Sequence, residues 1–361
     1  MTGLQLREPD VASASAHVAA LRPLPPIRRS FPSTVSIPAF ALLYGVLVPT
    51  VKTLEYLGLW PRLIARPVNR AAFGDYEPTA HDVLACSYQK SGTNWLLQIA
   101  VQIAHRGHAQ FDNIRDLVSW PDSPVASFGF PPLRGSGLES RSPTGLRCIK
   151  THLALGDVPY TPAGRYVALV RDPKDVFVSS YHFVRALLLG PMMPTVAHWL
   201  DLFLSEGYPQ GCWARHLNSY WRVRDRGNVL FLTYESLQDD LPGAVRRIAT
   251  LAGVELSPEE IDCVARQATF THMKQLGPKF EPPMITPWSA PQGSVVRQGR
   301  RGNSDQLLTA EQQRRIDVHF RDRLRRLGCD FPYDEHYGRK GAGPDTPAEP
   351  RPTGVGVEPT G

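Results

Sequence analysis

No stretch of this chain has the length and apolarity of a membrane-spanning helix. The apolar run from Ile37 to Val48 contains Pro38 and Gly45 and falls short of the ~20 residues that spanning requires. Cysteine is scarce. The five residues Cys86, Cys148, Cys212, Cys263 and Cys329 are far apart, odd in number and free of any Cys-x-x-Cys pair. That argues against a disulfide framework and a structural zinc site, and for a reducing compartment. Cys86 and Cys148 lie in apolar runs and read as small core residues. Charge of one sign is only slightly in excess, with 40 Lys and Arg against 34 Asp and Glu, a net charge of +6. Such an excess suits an anionic ligand or a membrane surface. It is too diffuse for nucleic-acid binding, and no nucleic-acid motif accompanies it. The densest basic cluster, Arg321 to Arg326, falls in a helical pattern and reads as a solvated face. No Gly-x-x-x-x-Gly-Lys-Ser/Thr loop occurs, which weighs against an ATP-dependent phosphotransferase. No acidic metal-binding set is evident, so the chemistry is expected to run without a metal.

What is present is a globular composition, 42% hydrophobic and 20% charged over 361 residues, enough for one large domain with extensions. Residues 1–35 carry Pro, Ser, Ala and Arg without periodicity and read as disordered, with no secretory signal. Residues 36–75 form an apolar and basic extension. Two readings stand for its 37–70 portion: helices packed on the domain as a lid, or an interfacial segment touching lipid. A single catalytic domain is expected over 76–337, and the Gly/Pro-rich tail 338–361 reads as disordered.

Within that domain short apolar runs alternate with helical periodicity. Strands are expected at 83–88, 146–151, 166–170 and 229–233. Helices are expected at 94–106, 174–189, 199–203, 212–225, 241–252, 258–267 and 309–327, the last with Thr309 as N-cap and Gln312 at the capping-box position. Residues 111–141, rich in Pro, Gly and Ser and holding Trp120, Phe128 and Phe130, read as a long irregular segment beside a ligand site. Residues 280–302 lack periodicity. The pattern predicts an α/β fold: a P-loop-like parallel sheet with helices on both faces. Ligands of such sheets sit at the carboxyl ends of the strands.

Three stretches fall at such ends. Tyr88-Gln89-Lys90-Ser91-Gly92-Thr93-Asn94-Trp95 links the first strand to the first helix. Gly92 permits close backbone approach, and the helix start supplies N–H groups and the positive dipole end. Lys150-Thr151-His152 closes the second strand, and Arg171-Asp172-Pro173 follows the third. Each has a plain structural reading: a turn with a surface lysine, a strand end with a satisfied histidine, a loop ion pair between Arg171 and Asp172 of little energetic worth. Together, with the later Arg297-Gln298-Gly299-Arg300-Arg301-Gly302 loop, they suit a polyanion with phosphates at both ends.

On these motifs the chain resembles the cytosolic-type sulfotransferases, which use 3′-phosphoadenosine 5′-phosphosulfate (PAPS). The family's Tyr-Pro-Lys-Ser-Gly-Thr-x-Trp loop matches residues 88–95. Its Lys-Thr-His-Leu element matches Lys150-Thr151-His152-Leu153. Its Arg-(Asn/Asp)-x-Lys-Asp-Val-x-Val-Ser-x-Tyr-His-Phe element matches Arg171 to Phe183, and Arg-Lys-Gly-x-x-Gly matches Arg297 to Gly302. Order and spacing hold over about 76–335. Any one motif alone is weak; the four together are specific.

The resemblance implies roles. Backbone N–H groups of Ser91, Gly92, Thr93 and Asn94 hold the 5′-phosphate. Arg171 and Ser179, with Arg297, Gln298 and Gly299, meet the 3′-phosphate. Trp95 and Phe270 wall the adenine, with Thr269 near it. His152 is the general base on the acceptor hydroxyl. Lys90 neutralises the leaving oxygen, Lys150 is a second cation at the transferring group, and Phe183 lines the acceptor pocket. The acceptor is a small, apolar alcohol, phenol, sterol or lipid-like molecule, and the protein is cytoplasmic, with peripheral membrane contact through 37–70 as the alternative. Departures are Gln89 for Pro, Gln298 for Lys, Gln210 for an adenine-contacting Tyr and Ala268 for Thr. They keep open a nucleotide-binding homologue without turnover. The family's dimer motif is not kept, with Asp305, Ala310 and Arg314 at its Lys, Val and Glu positions. The oligomeric state is left open.

Overall fold

The computed structural model describes residues 71–123, 129–190, 193–282, 299, 302 and 304–338. The extension at 37–70, the tail beyond 338, and Arg297, Gln298, Arg300 and Arg301 lie outside the described residues. The strands are β1 (Asp82–Ser87), β2 (Val118–Ser119), β3 (Arg147–Thr151), β4 (Arg165–Val170) and β5 (Val229–Thr233). They form one parallel sheet in the order β2-β3-β1-β4-β5. The helices are α1 (Thr93–Ala104), α2 (Pro173–Val184), α3 (Val196–Leu204), α4 (Trp213–Trp221), α5 (Tyr234–Asp239), α6 (Leu241–Ala252), α7 (Pro258–Gln267), α8 (Phe270–Gln275), α9 (Ala310–Arg326) and α10 (Tyr333–Tyr337), besides short single turns.

The central strand explains the layering. Alternate side chains of a strand point to opposite faces. Val83 and Ala85 join a core with Leu96, Ile99 and Ile103 of α1, Val245 and Ile248 of α6 and Val264 of α7. Leu84 and Cys86 join the opposite core with Ile149, Tyr166, Ala168 and Tyr220 of α4. Both faces of β1 are buried, so its sequence is continuously apolar rather than alternating. A third core packs α2, α3, α4 and α9 around Trp213, Phe177, Phe203 and Phe320. Lys174 is buried inside it. Its ammonium bonds Asp317 of α9 and the Tyr337 carbonyl, and lies 3.2 Å from Asp172. Thus the C-terminal helices are tied to the start of α2.

Strand and helix positions follow the pattern closely, and Thr309 and Gln312 form the expected capping box. Four differences stand out. The segment at 111–141 is not wholly irregular. It contributes β2, too short at two residues to show a period, and a helical turn at Leu138–Arg141. The helix predicted over 174–189 is α-helical only to Val184 and then widens into a π turn, Arg185–Leu189. α5 and α8 are single-turn helices set by side-chain caps from Thr233 and Thr269. α10 follows the helix expected to be last; Tyr333 and Tyr337, its buried residues, sit against Trp213.

Candidate active site

The chain runs from β1 outward on one side through α1, β2 and β3, then crosses to β4 and β5 on the other. A crevice opens where the strand order reverses. Register decides what meets there. Ala85 pairs with Lys150 and Cys86 with Thr151, so His152 comes level with Ser87. On the other side Val170 pairs with Thr233, so Arg171 and Tyr234 leave the sheet side by side.

The β1–α1 loop is built for close approach. The Ser87 and Thr93 hydroxyls, 2.6 Å apart, clasp its two ends. Between them the backbone turns through Lys90 at φ 65° and Gly92 at φ 100°. Holding a lysine in that region costs on the order of 1–3 kcal/mol and persists only where the surroundings impose it. Gly92 admits no side chain: a Cβ would lie 2.8 Å from the Tyr234 ring and 3.3 Å from Leu169. Gly92 is the N-cap of α1, with no side-chain cap and no acidic residue in the first turn. The helix start therefore keeps its positive end toward the loop. The Ser91 hydroxyl is fully buried with no hydrogen-bond partner among the described residues. A buried orphan of this kind costs ~1–3 kcal/mol, and beside a helix N-terminus it is a donor awaiting an anion. The orphaned hydroxyl and the cradle at Gly92 both fit a bound phosphate.

On the β3 side, His152 Nδ1 lies 2.8 Å from the Ser87 carbonyl oxygen. A carbonyl can only accept, so Nδ1 carries the proton and Nε2 keeps its lone pair. Burial, the neighbouring Lys150 and, more weakly, His216 and Lys90 hold the His152 pKa well below its usual value; the Ser87 bond opposes them. The ring is a neutral base. The His152 backbone N–H donates to Asp122 at 2.8 Å. The Lys150 ammonium sits 3.4 Å from the centre of the Trp120 ring. Burial lowers its pKa to about 7 against the attraction of Asp122. Lys90 stands 3.7 Å from the centre of the Phe183 ring. Both lysines thus lie against aromatic faces, an arrangement favourable to a cation.

Arg171 stacks over Tyr234 at 4.3 Å and donates to Asp175 at 3.3 Å. Its sequence neighbour Asp172 instead caps α2 at the Lys174 backbone N–H and pairs with the Lys174 ammonium. Helical geometry favours that swap, since Asp175 lies one turn on from Arg171. Ser179 and Phe183 continue the same i, i+4 stripe of α2 toward Lys90. The surroundings of Arg171 are acidic as well as basic. Burial raises the Glu235 carboxyl to about 7 and Asp172 to about 6. Trp95 donates to the Ala268 carbonyl at 2.7 Å and meets Tyr234 edge-on at 5.2 Å. Thr269 caps α8, and Phe270 is 39% exposed. Gly299 lies against that ring, where a Cβ would come within 2.0 Å.

Lys90, Lys150, His152 and Phe183 therefore come together where the strand order reverses; Arg171 and Trp95 both pack on Tyr234, Gly299 lies against Phe270, Thr269 caps the helix that Phe270 starts, and Ser179 stands one turn before Phe183 on α2. Sequence reasoning gave no role to Asp122, Tyr234 or His216, and placed Trp120 only within a segment beside a ligand site. Tyr234 follows a strand end and could have been found by that signal. The other three lie in an aperiodic loop or on a helix face, with no local mark.

A sulfotransferase domain model matches residues 80–328. The chain belongs to the sulfotransferase domain family. It is a PAPS-dependent sulfotransferase. Among curated relatives it is 26% identical to mouse sulfotransferase 1B1 over 291 residues, covering 78% of this chain and 95% of that one. It is 27% identical to rat sulfotransferase 2A6 over 248 residues, 67% of this chain and 84% of that one. The crystal structure of mouse sulfotransferase SULT7A1 complexed with PAP superimposes with a TM-score of 0.55 and 25% identity, covering 71% and 89% of the two chains. Retinol dehydratase in complex with androsterone and PAP shares the fold at TM-score 0.59 and 23% identity, covering 75% and 88%.

His216 gives this sulfotransferase a measurable signature. It is 3% exposed, neither ring nitrogen has a partner among the described residues, and burial lowers its pKa to about 3. Between those values and the ordinary 6.5, the unfolded chain binds a proton that the folded chain refuses. Stability from this residue is therefore lost as pH falls below 6.5, by up to about 2 kcal/mol at pH 5. Buried carboxyls with raised pKa values act in the opposite sense, so the comparison must be with a variant. The melting temperature of His216→Leu is expected to fall less between pH 7 and 5 than that of the wild type. Parallel curves would refute it.

Proposed function

We propose that this sulfotransferase moves the sulfuryl group of PAPS to the hydroxyl of a small apolar acceptor, with His152 as general base. The observation that carries this reading is the Nδ1 contact to Ser87, which leaves Nε2 of a neutral imidazole open beside Lys150 and the Lys90 loop. When bound, PAPS supplies the electrophilic sulfur. His152 takes the acceptor proton at Nε2. Lys90 neutralises charge on the departing phosphate oxygen, and Lys150 does so at the group in transit. Backbone N–H groups of Ser91 to Asn94, with the orphaned Ser91 hydroxyl, hold the 5′-phosphate. Arg171 and Ser179 meet the 3′-phosphate, with Arg297, Gln298 and Gly299 joining from the later loop. Trp95 and Phe270 flank the adenine, with Thr269 at its edge. Phe183, Trp120 and Phe130, whose ring lies 5.2 Å from that of Trp120, supply an apolar wall for the acceptor. The catalytic domain spans 76–337.

Two measurements test this. Adenosine 3′,5′-bisphosphate is expected to raise the melting temperature by several degrees and ATP much less, because Arg171 reads the 3′-phosphate. Arg171→Ala should erase most of that difference, an Arg–phosphate contact being charge-assisted. Equal shifts from the two nucleotides would remove the 3′-phosphate assignment. Incubation with labelled PAPS and a panel of phenols, sterols and alkyl alcohols, read by mass spectrometry, identifies the acceptor. Sulfation confined to carbohydrates would overturn the apolar reading.

A further inference from the structure

Asp122 lies in the turn after β2, held beneath the strand-end base and lysine. One oxygen, Oδ2, accepts the His152 backbone N–H at 2.8 Å. The other, Oδ1, is buried with no hydrogen-bond partner among the described residues. Leaving a carboxylate oxygen so placed is costly unless a charge nearby compensates. The compensating charge is the Lys150 ammonium: burial raises the Asp122 pKa and lowers that of Lys150, and the attraction between the two groups opposes both shifts. Trp120, two residues earlier, covers the same ammonium with its ring and packs edge-on against His152 at 5.5 Å. The turn thus brings one aromatic and one carboxylate to the two reactive residues of β3.

We propose that Asp122 is a positioning residue for sulfuryl transfer: its carboxylate pins the main chain under His152 and keeps Lys150 charged inside an apolar cleft. This rests on the roles given above to His152 and Lys150. The lysine needs such a partner. Among the described residues, the other ionisable groups around Asp122 and Lys150 are His152 itself, Lys90 from the β1–α1 loop, His216 from α4, and the Cys86 thiol of β1 and Tyr220 phenol of α4, the last two kept neutral by burial. The two histidines are neutral, because burial lowers both pKa values, and Lys90 is positive. Asp122 supplies the negative charge. Even with it, burial lowers Lys150 to about 7. Without it, the ammonium would lose its proton in the working range, and the site would lose a cation where negative charge develops.

The test separates charge from hydrogen bond. Asp122→Asn keeps an oxygen able to accept the His152 N–H and removes the charge. Asp122→Glu keeps the charge on a longer arm. The first readout needs no acceptor and no turnover. Acetic anhydride labels only neutral amines, so the extent of Lys150 acetylation against pH, read by peptide mass spectrometry on the folded protein, gives its titration midpoint. That midpoint is expected to drop by about one unit or more in Asp122→Asn and to stay near the wild-type value in Asp122→Glu. The second readout is the pH profile of kcat/KM for PAPS, which reports groups of the free enzyme. Its basic limb should move to lower pH in Asp122→Asn by the same interval. Activity lost at pH 7.5, about tenfold, should then return largely on acidification to 6.5. His152, held well below 6.5, stays neutral over that range. A residue that only held the loop in place would lower the rate equally at every pH. An unchanged Lys150 midpoint in Asp122→Asn, or a pH-independent loss, overturns the proposal. If instead the roles of His152 and Lys150 are wrong, the labelling midpoint still shifts while the rate profile does not. Should Asp122→Asn fail to fold, judged by its melting curve with adenosine 3′,5′-bisphosphate, Asp122→Glu decides. A Glu variant that labels at lower pH than wild type refutes the charge argument.

Discussion

His152→Ala is expected to lower kcat by ~10²–10⁴, the range for losing a general base. Affinity for adenosine 3′,5′-bisphosphate should barely change. The nucleotide-facing groups are on the β1–α1 loop and around Arg171, whereas the imidazole bonds the Ser87 carbonyl and packs on the Trp120 ring edge. Losing the bond to Ser87 should cost ~0.5–1.5 kcal/mol of stability, a small shift in melting temperature. The histidine pKa lies well below 6.5 in the folded state, so the acidic limb of the wild-type rate should begin below that value. It should vanish from the residual activity of the variant. The plain structural alternative is that His152 merely fills a strand end. Under it, turnover per folded molecule would stay near wild type while melting temperature fell. Measuring kcat, bisphosphate affinity and melting temperature on one preparation separates the two outcomes.

Gly92→Ala should damage the other half of the site. Two penalties coincide at this position. The φ of 100° is disfavoured for any residue with a Cβ, costing roughly 1–2 kcal/mol. The added methyl would also meet the Tyr234 ring at 2.8 Å and Leu169 at 3.3 Å, an overpacking that costs typically ~1–3 kcal/mol. Relief requires Tyr234 to move, and Tyr234 is the ring on which Arg171 stacks and against which Trp95 packs. One methyl group thus disturbs the loop that meets the 5′-phosphate and the arginine assigned to the 3′-phosphate. The melting temperature should fall by several degrees, and the stabilisation by adenosine 3′,5′-bisphosphate should drop at least tenfold in apparent affinity. His152→Ala loses rate and keeps the nucleotide; Gly92→Ala loses the nucleotide. A Gly92→Ala protein with wild-type bisphosphate affinity would show that the loop does not approach the ligand through its backbone.

Much of this molecule was legible in local order along the chain. A parallel strand buried on both faces must be continuously apolar, so β1, β3, β4 and β5 announce themselves. Amphipathic helices such as α6 and α7 carry their period, and α9 carries its cap. Because ligands of such sheets gather at carboxyl ends, the three basic strand ends could be assigned to one place before any contact was known. The order of those residues along the chain is also what the family resemblance rests on.

Tertiary structure decided what each of them touches. Arg171 pairs with Asp175 rather than its sequence neighbour, because the start of α2 turns Asp172 back onto Lys174. The tautomer of His152 follows from register, which sets Ser87 of another strand beside it. Gly92 could be read as a turn residue from the sequence, but the ring that forbids a side chain there comes from Tyr234, across the sheet. Trp120 and Asp122 stand in a stretch without period or motif. Their importance arises only when the two-residue strand β2 lays that stretch along β3. Local propensities and patterns act over a few residues, and sequence states them. Electrostatic partnership and close packing act through space, between residues that only the finished sheet makes neighbours.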